Sequence, residues 1–234
     1  MSEPVLAPPG APPPEAPLAP PAEAAETGKV PAGVLLGVSG AIAGLLIAGV
    51  FGAAEPTILA NRQARLEKAV VEVLASPEKF ERLYVIGGGL AREVPAGTDP
   101  KGIESVYLGY GPQGKRLGFA VVAAGPGFQD TIRLIYGYDP AGKRLTGMKV
   151  LESKETPGLG DKIEKDASFV GQFVGRLAPL LGVKPKAKGS DEPNAIVMIT
   201  GATISSRAIV RIINTSLARM GPMLHGYWDA ETRR

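Results

Sequence analysis

The sequence contains no cysteine and a single histidine, and these scarcities exclude much of the usual chemistry of enzyme sites. Without cysteine the chain has no disulfide, no thiolate nucleophile and no sulfur ligand for zinc or an iron–sulfur cluster. His225 stands in the C-terminal tail beside Gly226 and Tyr227, where a lone histidine is usually only solvated. We therefore predict no catalytic residue and no metal site on this chain.

Charge and motif content exclude further classes. The formal net charge is only +3, and acidic and basic residues alternate along the chain instead of forming a basic stripe, so nucleic acid is not an expected partner. Residues 109–114 formally match the dinucleotide fingerprint, but a strand-like run follows them where a helix should begin. We interpret this segment as a hairpin turn.

The N-terminal part divides into a tail and an apolar segment. Residues 1–30 are rich in proline and alanine, and proline removes backbone donors and fixes φ, so this segment is predicted to be a disordered or polyproline-like tail. Residues 31–54 carry no charge and are long enough to cross a bilayer. They predict a single uncleaved transmembrane helix, with a signal peptide as the competing interpretation.

Glycine spacing and flanking charge bear on how this helix sits in a membrane. Four glycines lie along one helical face, a pattern that lets transmembrane helices approach closely but that also follows from ordinary glycine abundance: Gly33, Gly37, Gly40 and Gly44. The basic residues Arg62, Arg65 and Lys68 follow the helix, which by the positive-inside rule favours a cytoplasmic domain. Acidic residues share that flank, so the charge signal is weak.

The rest of the chain predicts an α+β domain over residues 81–234, preceded by a linker helix over residues 55–80. In the linker, apolar residues recur at helical spacing over residues 58–74, and Ser76-Pro77 ends the pattern. Turn signals then separate four strand-like runs, which predict an antiparallel meander: 105–110, 116–123, 131–138 and 145–152. A helix over residues 162–180 and a strand over residues 195–199 follow, and a second helix covers residues 204–220.

The motif Thr200-Gly201-Ala202-Thr203 stands between the last predicted strand and the last predicted helix. A helix N-terminus presents unpaired N–H groups and the positive end of the helix dipole, which suit a phosphate group, and Thr203 brings a hydroxyl to the same place. Ser205 and Ser206 are further hydroxyls for phosphate oxygens. The alternative is that these residues only cap the helix.

A second motif follows the last strand of the meander and reads Glu155-Thr156-Pro157-Gly158-Leu159-Gly160-Asp161. Pro157 fixes one turn, and the two glycines let the backbone approach a flat ligand closely. Leu159 offers an apolar contact, while Glu155 and Thr156 offer polar ones. The alternative is a plain strand–helix connection in which Asp161 is the N-cap.

Together, in this order and behind one anchor, the two motifs resemble the flavin-binding G subunit of the Rnf electron-transport complex and, less closely, the C subunit of the sodium-translocating NADH:quinone oxidoreductase. The resemblance runs from the anchor to Met220 and includes residues 57–62 and the phrase Gly118-Phe119-Ala120-Val121. It implies FMN joined through its phosphate to Thr203, the last residue of a Ser/Thr-Gly-Ala-Thr pattern. It also implies that the loop from Glu155 to Gly160 lies against the flavin.

The resemblance further implies what the chain does and where. The expected function is that of an electron carrier in a membrane-bound, ion-translocating complex, with a flavin subunit of a sodium-pumping quinone reductase or a non-redox anchored scaffold as alternatives. Expected partners are other integral-membrane subunits, the lipid bilayer and a flavin-attaching transferase. The expected location is the bacterial inner membrane, with the C-terminal domain on the periplasmic side. The proline-rich tail departs from the family.

Overall fold

The computed structural model describes residues 31–187 and 189–233. The chain forms two compact units, which divide between Glu55 and Pro56. The tail predicted over residues 1–30 lies outside the described residues.

Helix α1 (Ala32–Val73) covers the predicted anchor and most of the predicted linker helix as one element. Its N-terminal part is long and apolar enough to cross a membrane, with a mean hydropathy of 2.4 over its most apolar 18 residues, none of which is buried. It is the one such helix in the described part of the chain. The helix ends before Ala75 and Ser76, both at positive φ, as the Ser76-Pro77 signal predicts.

A six-stranded antiparallel sheet forms the centre of the second unit, in the order β2-β1-β3-β4-β5-β6. Its strands are β1 (Lys79–Ile86), β2 (Gly89–Ala91), β3 (Ser105–Tyr110), β4 (Arg116–Pro126), β5 (Thr131–Asp139) and β6 (Arg144–Glu152). The predicted meander is confirmed as β3 to β6, with small differences at the strand ends. Residues 109–114 join β3 to β4 in an antiparallel pair, as predicted, whereas β1 and β2 were not predicted.

Successive strand residues point to opposite sides of the sheet, and in this sheet both sides carry apolar side chains. Helices cover both faces. One face carries Leu108, Phe119 and Tyr136 against the long C-terminal helix. The other face packs against the last turns of α1 and the residue after it. The side chains at this contact are Val70, Val73, Leu74, Tyr107, Ala120 and Ile135. The sheet therefore forms the middle of three layers.

The prediction of one helix over residues 162–180 is wrong. Two short helices, α2 (Lys162–Lys165) and α3 (Ala167–Gly171), occupy its first part. Asp166 separates them because its extended backbone starts a new helix and its carboxylate accepts hydrogen bonds from the N–H groups of Ser168 and Phe169. Gly175 at φ +76° then turns the chain, so the apolar spacing does not continue as one helix.

The last elements also differ from the prediction. Strand β8 (Ala195–Val197) is shorter than predicted and pairs in parallel with β7 (Leu181–Val183), which was not predicted. Helix α4 (Thr203–Thr232) extends twelve residues beyond the predicted end. His225 therefore stands in a helix and not in a solvated tail, and its Nε2 lies 3.1 Å from the hydroxyl of Tyr138.

Candidate functional site

The two sequence motifs meet at a cleft of about 300 Å³ beside the first turn of α4. The residues that line it come from the β4–β5 turn, the loop after β6 and the start of α4: Phe128, Glu155, Thr156, Leu159, Gly160, Gly201, Ala202, Thr203, Ile204 and Ser205. Eight of these ten residues are among those predicted from the sequence. The fold thus brings together two segments that are separated by some forty residues.

Thr203 is the first residue of α4, and Ala202 occupies the N-cap position without a side-chain cap. The interpretation of Thr203 as the cap is therefore wrong. Among the described residues, the backbone N–H groups of Thr203, Ile204 and Ser205 have no acceptor, because the first such bond runs from Ser206 N–H to Ala202 O at 2.9 Å. These donors and the helix dipole favour an anion at this end.

The hydroxyl of Thr203 is accessible for chemistry. Its side chain is half-buried, and its Oγ1 makes one long hydrogen bond, donated to the carbonyl of Ile199 at 3.3 Å. A bond of that length is weak, and the oxygen keeps its lone pairs. Thr203 is thus the hydroxyl of this motif that lines the cleft and stands directly at the open helix end.

The turn before α4 depends on Gly201 and Ser206. Gly201 adopts φ +84°, a conformation that other L-residues enter only with strain. Ser206 is fully buried; its Oγ donates to Ala202 O at 2.8 Å and accepts from Ile199 N–H at 3.2 Å. Its hydroxyl is therefore committed to the turn, which corrects the expectation that Ser206 contacts a phosphate.

Glu155 joins three segments of the cleft wall. Its Oε1 accepts hydrogen bonds from the N–H groups of Phe128 and Gln129 at 2.8 and 3.1 Å, and its Oε2 accepts one from Ser205 Oγ at 2.5 Å. Glu155 is only 5% exposed. Burial alone would raise its pKa, but the hydrogen bonds from Ser205 and from the backbone outweigh it and hold the pKa below the usual range.

The loop after Glu155 is a compact turn. The carbonyl of Thr156 accepts hydrogen bonds from Leu159 N–H and Asp161 N–H at 3.2 and 3.3 Å. Gly158 allows this turn by adopting φ +78°. Asp161 precedes α2 but makes no side-chain cap bond, and its carboxylate pairs instead with Lys165 at 2.6 Å. The loop is thus held by its own backbone and presents Leu159 to the cleft.

Three apolar side chains surround the cleft and remain exposed to solvent: Phe128 at 61%, Leu159 at 52% and Ile204 at 56%. Large apolar side chains grouped at one polar site are typical of a ligand-binding surface. Sequence reasoning identified Leu159 but missed Phe128 and Ile204. Ile204 gave a usable signal, because it is an apolar residue directly after Thr203.

Three predicted site residues do not line the cleft. Thr200 and Gly158 are exposed and lie outside its wall, and Ser206 is buried beneath it. Gly158 and Ser206 shape the two turns that form the wall. For Thr200 the structure assigns no contact to the cleft.

A larger groove of about 580 Å³ lies between the end of β4 and the middle of α4. Its main charged groups are already paired, because Arg219 makes two hydrogen bonds to Glu104, at 2.5 and 2.7 Å. Arg211 donates to the backbone carbonyl of Pro126. No hydroxyl of the groove stands at a helix end, so we assign the ligand site to the smaller cleft.

The cleft fits the parts of FMN. Free N–H groups and a threonine hydroxyl suit the phosphate, and the exposed apolar side chains suit a flat ring. The volume is at the lower end of the range for small-molecule sites, roughly 300–1,000 Å³, so part of a bound ring would stay at the surface.

Comparison with known proteins agrees with this assignment. The family model of the FMN-binding domain matches residues 127–218, a span that contains the whole cleft. The G subunit of the ion-translocating oxidoreductase complex of Haemophilus influenzae is 29% identical over 184 residues, which are 76% of this chain and 83% of that protein. The G subunit of the Na⁺-translocating ferredoxin:NAD⁺ oxidoreductase complex of Acetobacterium woodii is 32% identical over 50% of this chain and 56% of its own length.

The fold has a solved counterpart. The crystal structure of Shewanella oneidensis NqrC matches with a TM-score of 0.60 and 16% identity, over 73% of this chain and 99% of that one. At that identity the likeness supports the fold alone. Taken together, the comparisons show that the chain is similar to the G subunits of ion-translocating oxidoreductase complexes and matches the family model of the FMN-binding domain over residues 127–218.

Proposed function

We propose that this chain is an electron-carrying flavoprotein subunit of a membrane-bound, ion-translocating complex of the Rnf type, with FMN joined covalently to Thr203. The observation that carries the proposal is the Thr203 hydroxyl, which stands at the open N-terminus of α4 in a cleft with an apolar rim. The similarity to G subunits supports membership of such a complex, and helix α1 provides a segment able to anchor the chain in a membrane.

Different residues of the cleft bind different parts of the flavin. The N–H groups of residues 203–205 receive the phosphate, and Thr203 Oγ1 is the attachment point. Phe128, Leu159 and Ile204 surround the ring. FMN supplies the redox chemistry because its ring exchanges one or two electrons, so the chain needs no acid, base or nucleophile for electron transfer itself.

Attachment requires a transferase and an activated flavin-phosphate donor. Thr203 Oγ1 forms a bond to the flavin phosphorus and loses its proton, while the bond from phosphorus to the donor's leaving group breaks. A phosphoester of this kind prevents loss of the flavin into an open compartment. Other integral-membrane subunits are the proposed electron partners, and the domain is proposed to face the periplasm.

In-gel fluorescence tests the attachment. The full chain is expressed with a flavin-attaching transferase and run on a denaturing gel. We expect a fluorescent wild-type band, a dark Thr203→Ala band and a fluorescent Thr200→Ala band, because Thr200 lies outside the cleft. A dark wild-type band would refute covalent attachment. A fluorescent Thr203→Ala band would move the attachment to another residue.

A flavin subunit of a sodium-pumping quinone reductase is the second candidate, because the two sequence motifs also resemble its C subunit, and the fold of NqrC is compatible with this. Purification of the native complex separates the two. Co-purification with the other subunits of an Rnf-type complex supports our proposal, whereas co-purification with subunits of a quinone reductase supports the alternative.

A further inference from the structure

Glu155 carries a negative charge inside the wall of the cleft without a basic partner. Its carboxylate accepts hydrogen bonds only from neutral donors, namely two backbone N–H groups and the hydroxyl of Ser205. Among the described residues, no lysine or arginine forms a salt bridge with it. Neutral donors hold the carboxylate ionised but do not cancel its charge.

The neighbouring charges are paired with one another. Lys154 lies 2.9 Å from Asp130, and Lys165 lies 2.6 Å from Asp161. These pairs are largely exposed on the cation side, where solvent screens them. The charge of Glu155 is only 5% exposed and therefore acts over a short distance with little screening.

The same carboxylate also fixes the geometry of the cleft. It ties the turn carrying Phe128 to Ser205, which stands two residues after Thr203 on α4. Gly127 and Gly160 both pack against it so closely that a Cβ atom at either position would clash with the Glu155 side chain. Its position is thus set from three sides.

We propose that Glu155 is a positioning residue of the flavin site that also lowers the reduction potential of the flavin. It fastens the Phe128 turn to the helix that carries Thr203, and its fixed negative charge opposes the addition of electrons to the ring. This rests on the proposed function, because the potential in question belongs to FMN at Thr203. Both the positioning and the lower potential follow from the hydrogen bonds and the charge of Glu155.

The test compares Glu155→Gln with Glu152→Gln in the flavin-loaded, full-length chain. Glutamine keeps a carbonyl oxygen for the two backbone donors but removes the charge. Glu152→Gln removes the same charge three residues earlier, from a partly exposed side chain near Arg62 and Arg133. Spectroelectrochemical titration at pH 7 should give a more positive midpoint potential for Glu155→Gln and an unchanged one for Glu152→Gln.

Ser205→Ala separates the charge from simple loosening of the site. It removes one donor but keeps the carboxylate, whose field on the flavin then grows, so the potential should shift to more negative values. A loosened site would move the potential in the same direction in both variants, whereas our proposal requires opposite directions.

An unchanged potential in loaded Glu155→Gln would overturn the proposal. If Glu155→Gln takes up no flavin, Ser205→Ala decides, and an unchanged or more positive potential there overturns it. A wild-type chain without flavin would instead contradict the proposed function. The two failures are therefore distinguishable.

Discussion

Ser206 and Ile199 are joined by a hydrogen bond in which the backbone N–H of Ile199 donates to Ser206 Oγ at 3.2 Å. The same oxygen donates its proton to Ala202 O, so one buried hydroxyl closes the turn that presents Thr203. The turn is thus held from beneath, while its outer side stays open to the cleft.

Ser206→Ala should destabilise this turn. The variant leaves the N–H of the half-buried Ile199 without its acceptor, and an unsatisfied donor that is shielded from water costs about 1–3 kcal/mol. Urea unfolding of the full chain in detergent, followed by the fluorescence of Trp228, should show that loss, together with lower flavin attachment. Thr215→Ala, at an exposed position of the same helix, should change the free energy of unfolding by less than about 0.5 kcal/mol. Equal stability of Ser206→Ala and wild type would contradict this role of the Ser206 hydroxyl.

Gly201→Ala should also destabilise the chain, for a conformational reason. Space is available, because the nearest atom to an added Cβ is Leu159 Cδ2 at 4.0 Å, but φ is +84°. We expect a loss of about 1–2 kcal/mol in the same unfolding measurement. Gly221→Ala is the matched control: it lies within α4 with no atom within 4 Å of the added Cβ, and should gain about 0.5–1 kcal/mol. A loss at Gly221 equal to that at Gly201 would argue against the backbone explanation.

Much of this site could be predicted from the sequence because its parts are local. The turn at Gly201, the start of α4 and the loop after β6 depend on glycine and proline within a few positions. The turn signals between β3 and β6 likewise depend on short segments. Each of these features is decided by residues next to it in the chain.

The remaining features depend on contacts that no short segment encodes. The bond between Glu155 and Ser205 joins residues fifty positions apart, and nothing in either motif specifies it. Phe128 gave no signal because an exposed aromatic residue in a turn has no periodic pattern. The break at Asp166 was missed because the apolar spacing favours one continuous helix, and the capping role of Asp166 was not recognised.

Phe128→Ala should affect the flavin and not the fold. The side chain is 61% exposed, so its loss should change the free energy of unfolding by less than about 0.5 kcal/mol, and its backbone N–H still donates to Glu155. We expect a change in the visible circular dichroism of the bound flavin, because one apolar wall of the ring is lost. Val174→Ala, at a similarly exposed apolar residue outside the cleft, should leave the flavin spectrum unchanged. If Phe128→Ala also leaves the flavin spectrum unchanged, Phe128 does not contact the ring.

The free energy of unfolding should depend on pH at low pH because Glu155 becomes protonated there. Its pKa is lowered by folding, so its contribution is present above the ordinary glutamate value of about 4.3 and is lost as the pH falls through the folded pKa. The free-energy difference between wild type and Glu155→Gln should therefore be nearly constant down to about pH 5 and should shrink as the pH falls from there to about 2. Glu152→Gln serves as the control for a surface carboxylate. A difference that stays constant over this range would mean that Glu155 is not ionised in the folded chain.

The side of the membrane on which the domain stands can be tested directly, because the chain has no cysteine of its own. Ala218→Cys places a thiol on an exposed position of α4, and Glu3→Cys places one in the N-terminal tail. In cells with a permeabilised outer membrane, an impermeant maleimide should label Ala218→Cys at once and Glu3→Cys only after lysis. The basic flank at Arg62, Arg65 and Lys68 favours the reverse. Labelling of Glu3→Cys alone would therefore establish a cytoplasmic domain and place the flavin on the other side of the bilayer.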